Sequence, residues 1–189
     1  MASRAVRPAL LVPPALLAVA LAAAVPASAR SSACTRFGGT GAQKLSRIQA
    51  QRSIGCLLNR ARRRHGARRL RANGRLERAA QGHTEYMRRH HCFSHECPGE
   101  PSFLARLKRV HYLLGGLRRW KVAENIGWGG GPHSTPKAIV RAWMHSAGHR
   151  ANILDRDYRQ LGIGFAPGSP RGKGHSGGTF TTDFGLRRR

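Results

Sequence analysis

The sequence predicts an α+β fold, and three observations carry this prediction. Helix-like spacing of apolar residues dominates the first part of the chain after residue 43, most strand-like runs come last, and no regular alternation of strands and helices separates them. Regular alternation is typical of α/β proteins with parallel sheets. Its absence leaves α+β as the predicted class.

The first 29 residues have the pattern of a secretory signal peptide. Arg4 and Arg7 precede an almost wholly apolar run, and Ala27-Ser28-Ala29 supplies the small-x-small cleavage pattern. The apolar run is interrupted by Pro13-Pro14 and is short for a membrane span, which needs about 20 apolar residues. We therefore expect a secreted, extracellular protein that begins at Arg30.

Residues 30–189 suit a single domain, because domains most often contain about 100–150 residues. We expect residues 30–43 to form an N-terminal tether, residues 44–186 the folded domain, and residues 187–189 a basic tail. No internal repeat is visible, so one hydrophobic core is expected.

Apolar periodicity predicts four helices. The first runs from about residue 43 to 65 and the second from about 74 to 90. The third is a short helix capped by Ser102, and the fourth begins at Ser134 or Thr135, just ahead of Pro136. The residues expected to face inward are Leu45, Ile48, Leu57, Leu58 and Ala61 in the first helix, Leu76, Ala79, Ala80, His83 and Met87 in the second, Phe103, Leu104 and Leu107 in the third, and Ala138, Ile139, Ala142 and Trp143 in the fourth.

Three runs predict strands, at residues 121–128, 160–165 and 178–184. A run of three glycines and a proline ends the first strand, and a loop rich in Gly, Ser and Pro joins the other two. The basic, glycine-containing stretch 113–119 is expected to be exposed.

The four cysteines are expected to form disulfides, because the chain carries an export signal. Four cysteines permit three pairings. Closeness in sequence favours Cys34–Cys56, which would tie the N-terminal segment to a helix, and Cys92–Cys97, which would close a short loop beside His95.

Residues 30–189 contain 32 basic and 8 acidic residues, which gives a formal charge of +24. Such a surface attracts anionic wall polymers and acidic lipid headgroups. However, arginine outnumbers lysine 27 to 5 in this range, which favours a compositional bias over a surface evolved to bind polyanions. Only residues 60–71 and 187–189 are dense enough to form patches, and no specific nucleic-acid partner is expected.

Three short polar stretches lie among apolar residues, at 93–96, 123–128 and 143–154, and their candidate residues are His95, Glu124 and His149. Two neutral imidazoles and a carboxylate can hold a divalent metal or orient a bound water. Glu124 is one of only eight acidic residues and lies in an apolar strand, so it needs His or Arg partners. We therefore expect the three stretches to share one cleft.

Structural interpretations compete with this site. His83 lies on an apolar helix stripe, where a hydrogen-bonded core role is favoured. Arg150 could pair with Asp155 or Asp157 as a structural lock. A zinc-like cluster is also visible, but no second Cys/His pair follows at zinc-site spacing, so a disulfide beside an exposed histidine is favoured. That cluster comprises His90, His91, Cys92, His95 and Cys97.

At these residues the chain resembles the CAP superfamily, also called SCP, which is named for cysteine-rich secretory proteins, antigen 5 and pathogenesis-related class 1 proteins. The motifs occur in family order over residues 53–185, and the match is closest to the secreted bacterial branch. The motifs are Cys56-Leu-Leu-Asn-Arg60, His83 with Met87, Phe93-Ser-His95, Ala123-Glu-Asn-Ile126, Trp143, Ser146-Ala-Gly-His149-Arg-Ala-Asn-Ile153, Gly162-Ile-Gly164 and Phe180-Thr-Thr-Asp-Phe-Gly185.

The resemblance implies a three-layer α–β–α sandwich with a small antiparallel central sheet. It also implies a cleft that holds, in many eukaryotic members, two histidines and two acidic residues able to bind a divalent cation. His95, Glu124 and His149 match three of these positions, and Ser146 occupies the fourth. A hydroxyl in place of a carboxylate removes a ligand and a negative charge, so any Zn or Mg held by His95 and His149 would bind weakly.

The expected function is that of a monomeric, non-enzymatic extracellular module that binds a ligand or surface, either a lipid or an anionic cell-wall polymer. The alternative is a metal-assisted hydrolase in which His95 and His149 bind the metal and Glu124 acts as general base. A third interpretation is that these residues only brace the fold.

Overall fold

The computed structural model describes residues 34–172 and 176–189 of the chain; the expected signal peptide, residues 1–29, lies outside this part. Two 3-10 turns, Ala42–Lys44 and Gly131–Ser134, accompany the regular elements. In chain order these are α1 (Arg47–Arg64), β1 (Arg71–Ala72), α2 (Gly74–Arg89), α3 (Phe103–Arg109), β2 (Arg119–Gly130), α4 (Pro136–His145), α5 (Ala147–Leu154), β3 (Gln160–Pro167) and β4 (Gly177–Arg188). Among the described helices, none is both long enough and apolar enough to cross a bilayer.

The strands form one sheet in the order β1-β3-β4-β2. Strand β4 pairs antiparallel with both β3 and β2, and the two-residue β1 adds a short parallel pairing with β3. The register places Glu124 of β2 directly opposite Asp183 of β4. Because β2 forms one edge of the sheet, loops from both sides can reach it.

One face of the sheet is covered by α1, α4 and α5, which share the largest apolar core. Its buried side chains come from α1 (Ile54, Leu58), α4 (Trp143), α5 (Ile153) and the facing strands (Leu161, Ile163, Phe165, Phe180, Phe184). The strand residues alternate along β3 and β4, as expected when one side of each strand faces a helical layer.

The other face is covered by α2, with α3 beside it. Gly162 and Gly164 of β3 face α2, and a Cβ at either position would overlap the helix backbone near Leu76 and Ala80 respectively. The glycines therefore let α2 lie directly on the strand. Together the two helical layers confirm the predicted α+β class and the three-layer α–β–α sandwich.

Several inward positions were predicted wrongly. Ile48 is 56% exposed, because the buried stripe of α1 runs through Ala50, Ile54 and Leu58, and two residues of helix rotate Ile48 to the opposite side. Leu104 is 42% exposed, since the seven-residue α3 turns Leu107 and not Leu104 into the core. Ala142 is also exposed, and Val140 takes its place on the inner face.

The structure confirms both favoured disulfides. Cys34–Cys56 and Cys92–Cys97 have Cα–Cα distances of 5.5 and 5.9 Å. The first joins the N-terminal segment to α1, and that segment also buries Ala42, whose amide donates to Ser134 Oγ. At the other end, β4 continues through Arg188, so most of the expected basic tail is paired with the sheet.

Candidate functional site

The candidate cleft lies at the β2 edge of the sheet, between the two helical layers. Glu124 projects from β2, on the face that α2 covers. His95 lies in the loop that follows α2 and is closed by the Cys92–Cys97 disulfide. His149 and Ser146 belong to α5 and its N-terminal cap, on the opposite layer. The open edge is what allows residues from both layers to approach β2.

Glu124 is the centre of this site, and its side chain is only 2% exposed. His95 Nδ1 donates to Glu124 Oε1 at 2.9 Å, and Arg106 Nη2 donates to Glu124 Oε2 at 2.8 Å. Burial alone would raise the pKa of Glu124, but the hydrogen bond from His95 and the charge of Arg106 outweigh it and lower the pKa. The carboxylate is therefore ionised and has a partner on each oxygen.

His83 adds a second layer of contacts beneath Glu124. Its Nδ1 lies 2.7 Å from Glu100 Oε2, and its Nε2 lies 3.7 Å from Glu124 Oε1. Burial, as the largest cause, lowers the pKa of His83, so the ring is neutral and donates to Glu100. The predicted role as a hydrogen-bonded core histidine is confirmed, and the same residue also supports the site.

Arg106 links these groups. Its guanidinium lies 3.5 Å from Glu100 Oε2, and it donates to the carbonyls of His95 at 3.1 Å and Pro101 at 3.3 Å. The side chain is 7% exposed, so its charge depends on Glu124 and Glu100 for compensation. Arg106 thus fixes both the carboxylate and the loop that carries His95.

Asp183 is the acidic residue that the sequence reasoning overlooked. It is fully buried and faces Glu124 across the β2–β4 pairing. Burial, and next the negative charge of Glu124, raise the pKa of Asp183 well above its usual range. Neither Asp183 carboxyl oxygen has a hydrogen-bond partner among the described residues. The shift favours the protonated form of Asp183 beside the carboxylate of Glu124.

His149 lies on α5, in the helical layer opposite α2. Its Nδ1 lies 2.9 Å from Ser146 Oγ, and its backbone carbonyl accepts from Asn125 Nδ2 at 3.1 Å. Asn152 in turn donates to Asn125 Oδ1 at 2.8 Å, which fastens α5 to β2. Burial first, and then the charge of His95, lower the pKa of His149, so its imidazole is neutral at pH 7.

The structure thus brings His95 and Glu124 into direct contact and pairs His149 with Ser146. Arg150, a candidate partner for Asp155 or Asp157, is replaced in that role by Lys121, which forms ion pairs with both carboxylates. Cys92 and Cys97 form a disulfide, so neither is a thiolate ligand.

The side chains of the candidate site offer few ligands for a divalent cation. Within residues 34–172 and 176–189, no group of three or more His, Cys, Asp or Glu side chains is arranged to hold a metal ion. Glu124 is committed to Arg106 and His95, and Ser146 offers a hydroxyl. Catalytic zinc sites use three protein ligands, which this arrangement does not supply. Weak Zn or Mg binding by His95 and His149 stays a prediction.

The fold is a three-layer α–β–α domain in which His95 contacts the buried Glu124, and Glu124 lies opposite the buried Asp183. Residues 57–184 match the family model described as CAP, the cysteine-rich secretory protein family. The chain therefore belongs to this family, which confirms the resemblance seen in the motifs.

Two curated relatives come from Bacillus subtilis (strain 168). The uncharacterized protein YkwD is 31% identical over 111 residues, which cover 58% of this chain and 39% of the relative. The uncharacterized membrane protein YlbC is 32% identical over 124 residues, which cover 65% and 34%. The match thus spans between a third and two fifths of the length of these relatives.

Solved structures share the fold. An extracellular protein containing a SCP domain from Bacillus anthracis str. Ames has a TM-score of 0.60 and 27% identity, over 75% of this chain and 41% of that one. An outer surface protein from Borrelia burgdorferi has a TM-score of 0.56 and 16% identity, over 71% and 90%. Venom allergen-like protein 4 from Schistosoma mansoni has a TM-score of 0.52 and 9% identity, over 77% and 92%. The last two likenesses show the fold alone.

Proposed function

We propose that this CAP domain is an extracellular ligand- or surface-binding module rather than an enzyme, and that it binds a lipid or an anionic cell-wall polymer. The observation that carries the proposal is the state of Glu124, whose side chain is 2% exposed and bonded through both oxygens. A general base must come within hydrogen-bond reach of the proton it takes. Glu124 acts instead as a buried anchor that holds the cleft in shape.

Two further observations support an extracellular role. The N-terminal residues have the signal-peptide pattern, and both disulfides suit an oxidising compartment. The structural neighbour from Bacillus anthracis, at 27% identity, is described as an extracellular protein. We propose that residues 30–189 form the mature protein and that it acts as a monomer at the cell surface.

Surface binding can be tested by sedimentation of the mature chain with purified cell wall and with anionic vesicles across a salt series. The formal charge of +24 predicts retention at low salt on one or both materials and release as the salt concentration rises, because counterions compete for the anionic sites. Neutral vesicles serve as the control. Absence of retention on both anionic materials at low salt would contradict the proposal.

The hydrolase alternative requires a metal at His95 and His149, and calorimetric titration with zinc addresses that requirement. We expect small heats that are the same for the wild type and for His149→Ala, because only two imidazoles are available. His145→Ala, at an exposed histidine near the cleft, is the matched control. A large heat that only His149→Ala abolishes would favour metal-assisted hydrolysis.

A further inference from the structure

Exposed apolar side chains gather at the end of the sheet where β2 begins. The described residues include only four large hydrophobic side chains with high exposure, and two of them are Leu114 at 39% and Trp120 at 47%. Leu114 and Leu117 line a recess of about 250 Å³ together with Arg187 and Arg189. Trp120 lies directly opposite Arg187 in the β2–β4 pairing, so both side chains leave the same face of the sheet.

This apolar group is surrounded by arginine. Residues 113–120 and 186–189 contain five arginines and no acidic residue. Among the described ion pairs, only Arg119 of these five has a carboxylate partner, Asp157 at 3.4 Å. Arg187 lies 4.9 Å from the centroid of the Tyr112 ring and donates to the Tyr112 carbonyl at 3.1 Å, which holds its charge at this edge. Arg118, Arg188 and Arg189 have no carboxylate partner among the described ion pairs, so their charges are available to an external anion.

We propose that this basic–apolar edge, formed by Leu114, Leu117, Trp120, Arg118, Arg187 and Arg189, docks onto an anionic phospholipid bilayer. The inference rests on the proposed function and selects its lipid branch. Tryptophan and leucine insert at the boundary between headgroups and acyl chains, and arginine binds lipid phosphates through paired hydrogen bonds. A bilayer satisfies both components of the edge, whereas an anionic polymer would use the arginines alone.

The basic patch at residues 60–71 allows binding through charge alone to be distinguished from binding that also inserts apolar side chains. Residues 60–71 carry several arginines, of which Arg63 and Arg64 are exposed, but none of the four highly exposed large hydrophobic residues lies in that range. If net charge alone directed binding, the two patches would contribute alike. If the edge also inserts apolar groups, its residues will contribute more to vesicle binding than an equal charge in residues 60–71 does.

The test uses flotation of the mature chain with vesicles of phosphatidylcholine alone and of phosphatidylcholine with phosphatidylglycerol, at physiological salt. We expect the wild type to bind the anionic vesicles and the double variant L114S/W120S to bind them about tenfold more weakly, while its retention on purified cell wall is unchanged. The variant R118Q/R189Q is expected to lose more vesicle binding than R63Q/R64Q, which removes the same charge elsewhere. Equal vesicle binding by the wild type and L114S/W120S would overturn the proposal.

A spectroscopic readout does not depend on that double variant folding. Brominated acyl chains should quench the tryptophan fluorescence of the wild type and should quench Trp120→Phe much less, since Trp128 and Trp143 remain in both proteins. Equal fractional quenching in the two proteins would also overturn docking through this edge. Wild-type binding to cell wall without binding to anionic vesicles would reject docking but keep the proposed function, and binding to neither would reject both.

Discussion

Glu124→Gln is expected to lower the free energy of unfolding by about 3 kcal/mol, because removing one member of a buried ion pair leaves the other charge uncompensated. Arg106 is 7% exposed and bonds to Glu124 at 2.8 Å, and glutamine would keep the shape of the side chain without its charge. Glu100, at 3.5 Å, would be the nearest remaining carboxylate partner. For a domain of this size the loss corresponds to a fall in Tm of about 10 °C.

Thermal unfolding at pH 7 measures this effect, and one variant serves as the control. Glu96→Gln removes an exposed charge from the same loop as His95 and should leave Tm nearly unchanged. An unchanged Tm for Glu124→Gln would show that Arg106 does not depend on Glu124 and that the carboxylate is free for another role.

Asp183→Asn tests the acid that faces Glu124, through the pH dependence of the free energy of unfolding. The raised pKa of Asp183 means that the folded state keeps a proton that the unfolded chain releases above about pH 4. The folded state binds more protons in that range, so this group makes stability fall as pH rises. Asparagine removes the dependence, and the stability of Asp183→Asn relative to the wild type should therefore rise with pH.

Of the two facing acids, Glu124 was predicted from the sequence as a site residue, and the physical reason was sound. A carboxylate in an apolar strand must find a cationic or hydrogen-bonding partner, and Glu124 found His95 and Arg106. Asp183 is another scarce acid within a strand, but neither of its oxygens has a hydrogen-bond partner among the described residues, and burial raises its pKa instead. What the sequence could not give is the register of β2 against β4, which sets the two acids face to face.

The residues missed beneath Glu124 illustrate the limit of local patterns. Glu100 follows the disulfide loop and Arg106 lies on a short helix, so only the packing of α3 beside α2 brings them to His83. Helix α5 was missed as well, because its eight residues bury only Ile153 and show little periodicity. Its position still determines where His149 lies.

The same cluster bears on the meaning of the net charge. Three of the eight acidic residues, Glu100, Glu124 and Asp183, are buried at the site. Two arginines, Arg62 and Arg106, are buried as well, so the surface keeps nearly the basic balance that the composition indicates, with five acids left outside the site. An excess of arginine, whatever its origin, therefore acts on an anionic partner with little opposition from carboxylates.

Arg62→Met is expected to cost about 3 kcal/mol of unfolding free energy, because it would leave several buried carbonyl groups without a donor. Arg62 is fully buried in the last turn of α1, and its guanidinium donates to carbonyls of three separate segments. These are the carbonyls of Arg68 at 2.7 Å, Ile153 at 2.6 Å, Asp155 at 2.9 Å and Tyr158 at 3.5 Å.

Urea unfolding of Arg62→Met and of Arg63→Met separates this role from the loss of a positive charge. Arg63 is exposed in the same helical turn, so its replacement should change stability by less than about 0.5 kcal/mol. Equal midpoints for the two variants would contradict a bracing role for Arg62. The expected difference means that Arg62 holds the end of α5 against α1. Because α5 carries His149, Arg62 also helps to fix the position of that histidine.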